Sequence, residues 1–522
     1  MEVEDDVTEY VAEPTAQRFH ASNAIVKGIV GPLGSGKSVT VCWEIIRLAG
    51  LQKADKNGIR RSRCAAIRNT YGELKTTTIE TWLHWFSDIT TMRWAHPIKA
   101  MVECPGVDPV TQEEDGTTVK LEILFFSMDR PRDIKKLKSL DLTFIWLNEC
   151  SELALATFEM AWARLWRYPP MKDGPGATNS VLLMDSNPPD DDHWYYRLAE
   201  EQDPVVLEAL REQMEQYLGD DRPLMQFFRQ PPALLRTPGK DGLMEWSPNP
   251  EAENVRNHKL GHGYWLQMVV GRPREWIKVF VEGNYGVVTD GMPVYPEYND
   301  EIHCASYEIK PIEGIGLRFG WDFGLTPALV IAQMTPMGQL RVIDEICARA
   351  VGLRTFVTHV VMPHLHRHYS RWPIPDMLAS STGDPSGEGR GDVDESQSCI
   401  IELEDQGIPT VGAYTNELVP RREAVAGFMT RMLGDGQPGF LLSPKCKVLR
   451  KGFRGHYRLE RIQVAGTERY RSEPVKDMFS HPQDALQYIA LGLDMKQRDV
   501  RRRSLRGSRR SRAGLADATA GY

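Results

Sequence analysis

Eight residues, Gly31-Pro-Leu-Gly-Ser-Gly-Lys-Ser38, constrain the fold more than any other part of this 522-residue chain. They fill the pattern G-x-x-x-x-G-K-[S/T], and they follow an apolar run at 24–30 and open a helical pattern at 37–49. Glycines at these spacings let successive backbone N–H groups curl around phosphate oxygens. A lysine in the next position reaches the outer phosphates, and the hydroxyl after it suits Mg²⁺. Gly31, Gly34, Ser35, Gly36, Lys37 and Ser38 are therefore the expected contacts for a nucleotide, ATP with Mg²⁺. Such a loop belongs at the end of a parallel strand, so the expectation is an α/β domain of the P-loop NTPase (ASCE-type) class.

The next 170 or so residues fit that frame. Strand-like runs fall at 64–68, 121–127, 142–147 and 180–185, and helical ones at 78–86, 154–165 and 204–218. The run at 142–147 ends in Asn148-Glu149, where a P-loop enzyme needs a base to orient water, and Glu149 is that candidate. Asn148 stands where an acid is more usual; its neutral carbonyl oxygen is expected to weaken the Mg²⁺ contact without abolishing it. A further apolar run leads into Asp185-Ser-Asn-Pro-Pro189. Asn187 there is placed to touch the γ-phosphate, although such a sequence also makes an ordinary turn. Arg68, at a strand end, suits either an arginine finger or, more simply, a solvated charge.

Past residue 300 the pattern changes. Three consecutive strand-like runs (316–323, 328–334, 339–346) precede alternating helices and strands and a final helix at 481–493, the order of an RNase H-like sheet. Isolated aspartates sit at its strand and helix ends: Asp322 in Gly-Trp-Asp-Phe-Gly, Asp384 in Gly-Asp-Pro-Ser-Gly, and Asp484 in Ser-His-Pro-Gln-Asp-Ala-Leu. Ser480 and Gln483 read as a capping box for the last helix. Each aspartate alone suits a turn or a helix N-terminus. Together, in this order, Asp322, Asp384 and Asp484 point to a catalytic set that holds two Mg²⁺ or Mn²⁺ ions about 4 Å apart. Asp344, Glu345 and Asp477 are reserve ligands, each also explained as an exposed charge. Lys445, Lys447, Arg450, Lys451, Arg454, Arg458 and Arg461 interleave with Phe453 and Tyr457, a composition suited to a phosphate backbone.

The expected organisation is an acidic arm at 1–21, a P-loop ATPase domain at 22–230, a connector or hinge at 231–300, an RNase H-like nuclease domain at 301–495 and a basic tail at 496–522. Lys and Arg number 63 against 71 Asp and Glu, a net charge of −8. That average conceals the tail, where nine Lys and Arg from Met495 onward face two Asp. No apolar run approaches the roughly 18 residues a membrane helix needs. The N-terminus is acidic where a signal peptide would be basic, so no membrane association and no secretion are expected. Eight scattered cysteines without a C-x-x-C pair read as reduced thiols rather than disulfides or a zinc site.

In order, the chain carries GPLGSGKS, IWLNE, LLMDSNPP, HWYYRL, WDFG, GDPSG and SHPQDALQY. This succession resembles the large terminase subunit of tailed bacteriophages over roughly residues 22–495. The resemblance implies an ATP-driven motor that moves double-stranded DNA into a prohead and a metal-dependent endonuclease that cuts the concatemer. It also implies the portal protein and the small terminase subunit as partners, a homo-oligomeric ring when docked, and a place in the host cytoplasm, transiently at the portal vertex. Asn148 departs from the usual acidic pair, which bears on the metal arrangement. A helicase-nuclease or repair ATPase is the alternative; it would carry further helicase motifs and a second RecA-like core, and the sequence offers one P-loop core.

Overall fold

A computed structural model describes residues 9–493 apart from 192, 203, 219–221, 239–243, 287–290, 324–325, 373–380, 386–398 and 464–468. The basic tail at 496–522 lies outside the described residues. The chain forms two units, Met1–Val288 and Thr289–Tyr522.

The first unit is built on an eight-stranded sheet: β1 (Val26–Val30), β2 (Ile59–Arg68), β3 (Thr90–Arg93), β4 (Ile98–Val107), β5 (Glu114–Ser127), β6 (Phe144–Asn148), β7 (Val181–Ser186) and β8 (Met225–Arg229). Its order is β3-β4-β5-β2-β6-β7-β1-β8. The five strands β8-β1-β7-β6-β2 all run parallel, the strand order of an ASCE-type P-loop NTPase. Every residue of β1, β6 and β7 is buried, because helices and loops cover both faces, and this explains their near-continuous apolar runs. Alternation still sorts the two faces. Phe144, Trp146, Val181 and Leu183 join Val41 and Ile45 of helix α2 (Lys37–Gly50), whereas Ile145, Leu147, Leu182 and Met184 face the opposite core.

Three expectations change here. The segment read as an acidic arm contains a helix, α1 (Pro14–Ala21), whose Phe19 is fully buried against Phe228; an acidic start did not reveal its apolar face. The long β4–β5 antiparallel hairpin extends the sheet well beyond the run expected at 121–127. The stretch read as a connector, up to Val288, belongs to the first unit. It contributes the hairpin β9 (Leu234–Pro238) and β10 (Met244–Pro248) and a small core of Ala233, Leu234, Trp265, Ile277 and Val281.

The second unit carries a six-stranded sheet. Its strands are β12 (Arg318–Asp322), β13 (Ala328–Met334), β14 (Leu340–Cys347), β15 (Ser381–Gly383), β16 (Val411–Gly412) and β17 (Phe440–Leu442), in the order β16-β15-β12-β13-β14-β17. β12, β13 and β14 are antiparallel neighbours, and β15 and β16 run parallel to β12. That is the RNase H-like sheet, with β17 added at the edge; β11 (Met292–Pro293), β18 (Arg458–Gln463) and β19 (Arg469–Pro474) form a separate small sheet. The last helix, 480–493, packs on one face with Leu486 and Ile489 among Val330, Val342 and Phe453. Gly320 allows this contact, since a Cβ there would lie 2.0 Å from the Ala485 carbonyl oxygen. The expected capping box does not form. Gln483 instead donates to Leu449 O at 3.0 Å, and the Asp477 carboxylate accepts from Phe479 N at 2.9 Å just before the helix.

Candidate active sites

Between β1 and α2 the loop turns through Gly34 (φ 74°) and Gly36 (φ 82°), conformations that a side chain would strain. The Lys37 ammonium donates to Pro32 O at 2.6 Å and to Gly31 O at 3.2 Å. Burial pushes Lys37 down from 10.5 to about 8, and Asp185 partly opposes that shift. The loop is held from outside by residues far along the chain. Leu33 O accepts from Trp265 Nε1 at 2.8 Å, and Gly34 O accepts from Asn254 Nδ2 at 2.7 Å. Gln230 donates to Ser35 O at 2.8 Å and to Glu253 at 2.9 Å. A cavity of about 350 Å³ opens beside the loop, lined by Tyr10, Ser35, Gly36, Trp85 and Asn254 among others.

The expected base lies at the same sheet edge. Glu149 leaves β6 in a left-handed conformation (φ 49°), and its Oε2 accepts from Ser186 Oγ and from Asn187 N, both at 3.3 Å. Asn187 Nδ2 in turn donates to Gly31 O at 2.9 Å, so one residue ties the base to the phosphate loop. Asn148 and Asp185 are register partners at the ends of β6 and β7. Asp185, fully buried, accepts from Trp146 Nε1 at 2.6 Å, from Asn148 Nδ2 at 3.0 Å and from the Ser38 hydroxyl. The sequence reading passed over Asp185, as it did Gln230, Asn254 and Trp265. Arg68 is not the solvated charge expected: it is 6% exposed and loosely paired with Glu73 at 3.7 Å and Glu152 at 3.5 Å.

In the second unit Asp322 ends β12, and Asp384 follows β15 one step beyond the Trp321–Gly383 pair, so both stand at one sheet edge. Asp322 shares its face of β12 with Gly320, the face that helix 480–493 covers, and Asp484 is the fifth residue of that helix. Asp322 Oδ2 is 2.7 Å from His481 Nδ1. Burial pushes the Asp322 carboxyl up; His481 opposes this and the nearby Asp484 adds to it. Asp484, 1% exposed, accepts from Arg421 Nη1 at 3.1 Å and from Tyr457 OH at 3.0 Å, and pairs with Lys476. The Tyr488 phenol is pushed up by burial; Arg421 opposes the shift, and Asp384, Asp484 and Asp322 each add to it. The three acids thus share one electrostatic neighbourhood. Among the described residues, however, no three His, Cys, Asp or Glu side chains close into a metal-holding group.

The reserve acids have structural partners instead of exposure. Asp344 is buried, which alone would raise its pKa, but hydrogen bonds from His364, Lys445 and Tyr369 carry it below the usual range. Glu345 is pushed up to about 7 by burial and accepts from Val448 N and Leu449 N at 2.6 and 2.8 Å. The basic strip is largely folded in. Phe453, Tyr457, Lys451 and Arg454 are buried, Lys445 pairs with Asp344, and Arg450 pairs with Asp300. Aromatic residues interleaved with bases fit a packed core as readily as a nucleic-acid surface, and here the core took them.

Residues 23–209, which hold the phosphate loop, Glu149 and Asn187, match the family model of the phage terminase large subunit. No curated protein matches the chain. Among solved structures, the large terminase of the thermophilic bacteriophage D6E aligns over 92% of this chain and 98% of its own, at 13% identity and a TM-score of 0.35. The large terminase of bacteriophage HK97 aligns over 92% and 95%, at 11% identity and a TM-score of 0.34. A large terminase nuclease from the thermophilic phage G20c with bound cobalt covers 38% of this chain and 96% of its own, at 15% identity and a TM-score of 0.26. No helix among the described residues is long and apolar enough to cross a membrane.

Proposed function

We propose that this chain is a terminase large subunit: its first unit hydrolyses ATP to drive double-stranded DNA into a prohead, and its second unit cuts the DNA. The observation that carries the reading is the union, within the span matching the terminase family, of a complete phosphate loop with Glu149 and its Asn187 tether. An RNase H-like sheet edged by Asp322, Asp384 and Asp484 follows on the same chain.

In the first unit the loop amides and Lys37 bind the triphosphate. Glu149 takes the proton from the attacking water, and Ser186 and Asn187 orient its carboxylate. Asn187 bridges to Gly31, so a change at the phosphates is felt directly by the base. Ser38 and the carboxylate beside it offer hard oxygen donors that suit Mg²⁺, which when bound neutralises charge on the phosphate oxygens. In the second unit Asp322, Asp384 and Asp484 are the catalytic acids. Cutting carries a requirement for Mg²⁺ or Mn²⁺, and EDTA is expected to abolish it. The proposal includes the portal protein and small terminase subunit as partners, a ring of copies when docked, and action in the host cytoplasm.

Two variants test the division of labour on the purified full chain. Lys37→Ala should lower ATP hydrolysis at least about a hundredfold while plasmid cleavage survives. Asp322→Ala should do the reverse. Hydrolysis that survives the first change, or cutting that survives the second, removes the corresponding half of the assignment.

A further inference from the structure

Asn148 occupies the strand end where an acid would normally face the nucleotide's metal, and the hydrogen bonds around it show where that carboxylate has gone. Alternation along β6 and β7 turns Asn148 and its register partner Asp185 toward α2, the helix that carries Ser38. A carboxylate only accepts, so the Asn148 atom facing Asp185 is its amide nitrogen, at 3.0 and 3.2 Å from the two oxygens. The Asn148 carbonyl oxygen points away and accepts from Thr78 Oγ1 at 2.6 Å. The amide therefore turns donors, not an oxygen, toward Ser38, from which its nitrogen is 3.3 Å. The Ser38 hydroxyl itself donates to Asp185.

We propose that Asp185, on β7, is the metal-side carboxylate of the nucleotide site, and that Asn148 is the amide that positions it. This rests on the ATPase reading and refines it. Asp185 is fully buried, and its hydrogen-bond donors (Ser38, Trp146 and Asn148) are all neutral. Lys37 acts on it through space, but the Lys37 ammonium is engaged by the Pro32 and Gly31 carbonyls. Burying a carboxylate without a contacting cation is costly. A divalent cation beside Ser38 offsets that cost, and hydroxyl and carboxylate oxygens are the donors such a hard ion prefers. The relocation is small, because neighbouring strands lie about 4.8 Å apart and the carboxylate keeps the same face and the same edge.

The test is the Mg²⁺ dependence of binding, read with a fluorescent non-hydrolysable ATP analogue titrated into the full chain in excess Mg²⁺ or in EDTA. The wild-type chain should bind at least about tenfold tighter with Mg²⁺, and Asp185→Asn should cut that enhancement below about twofold. Asn148→Asp combined with Asp185→Asn, which moves the carboxylate back to β6, should restore it. Asn148→Ala should keep it to within about threefold. A folded Asp185→Asn variant with the full enhancement overturns the proposal. If that variant does not fold, Asn148→Ala decides: retention supports Asp185, and loss assigns the role to Asn148. A wild-type chain that binds no analogue in either buffer defeats the ATPase reading as well, an outcome distinct from the others.

Discussion

The phosphate loop and the acid edge are held in place by opposite means. Around the loop, the backbone carbonyls of Leu33 and Gly34 accept from Trp265, Asn254 and His258, each more than two hundred residues away in sequence. At the acid edge the functional groups are charged side chains, and Asp484 is pinned by charges of the other sign, Arg421 and Lys476. Trp265 and Asn254 carry no charge and fix a shape. Charged pins fix a balance, and removing one leaves an uncompensated ion. The first arrangement suits a loop that must present amides in one geometry; the second suits carboxylates held under cover.

The sharpest way to break this contrast is Arg421→Gln. Asp484 is 1% exposed, and its remaining cation, Lys476, is 61% exposed, so Arg421 is the partner that matters inside. Removing one member of a buried pair costs about 3–5 kcal/mol. Denaturant unfolding at pH 7.5 should show that loss, and Arg421→Lys, which keeps the charge, should recover part of it. An equal loss in both variants would mean that Arg421 supports the edge by shape and packing and not by charge. The counterpart at the loop is Trp265→Phe, which keeps most of the buried ring and deletes the bond to Leu33 O. Its expected cost is smaller, about 1–3 kcal/mol.

The same contrast explains which parts were legible in the sequence. Gly31 to Ser38 could be read because phosphate binding needs those residue types consecutively, and the order of strands from residue 316 onward because each is a separate apolar run. Asp185 was passed over because its meaning depends on register: only pairing with Asn148 shows that a carboxylate one strand over reaches Ser38. Trp265 and Asn254 were hidden for a related reason, since an irregular segment has no periodicity to show that it closes over a distant loop. At 445–461 the residue types were read correctly but their surroundings were not. Phe453 and Tyr457 pack into the second unit, and Lys451 and Arg454 are carried in with them.

Lys37 at the loop answers to pH, and it gives the smallest of these effects. Burial holds Lys37 near 8 instead of 10.5, so the ammonium is present at neutral pH but begins to discharge within a mildly alkaline range. A triphosphate binds the charged form, and its own phosphates are fully ionised there, having titrated near pH 6. Below about pH 8 affinity for the analogue should therefore be flat. Above it each binding event must take up a proton, and affinity should fall by up to about tenfold per pH unit. The fall should be accompanied by proton uptake, measurable as a dependence of binding enthalpy on the buffer's ionisation heat. Lys37→Arg, whose guanidinium stays charged throughout, should bind with no break near pH 8. A break that persists in that variant would move the titration to another group.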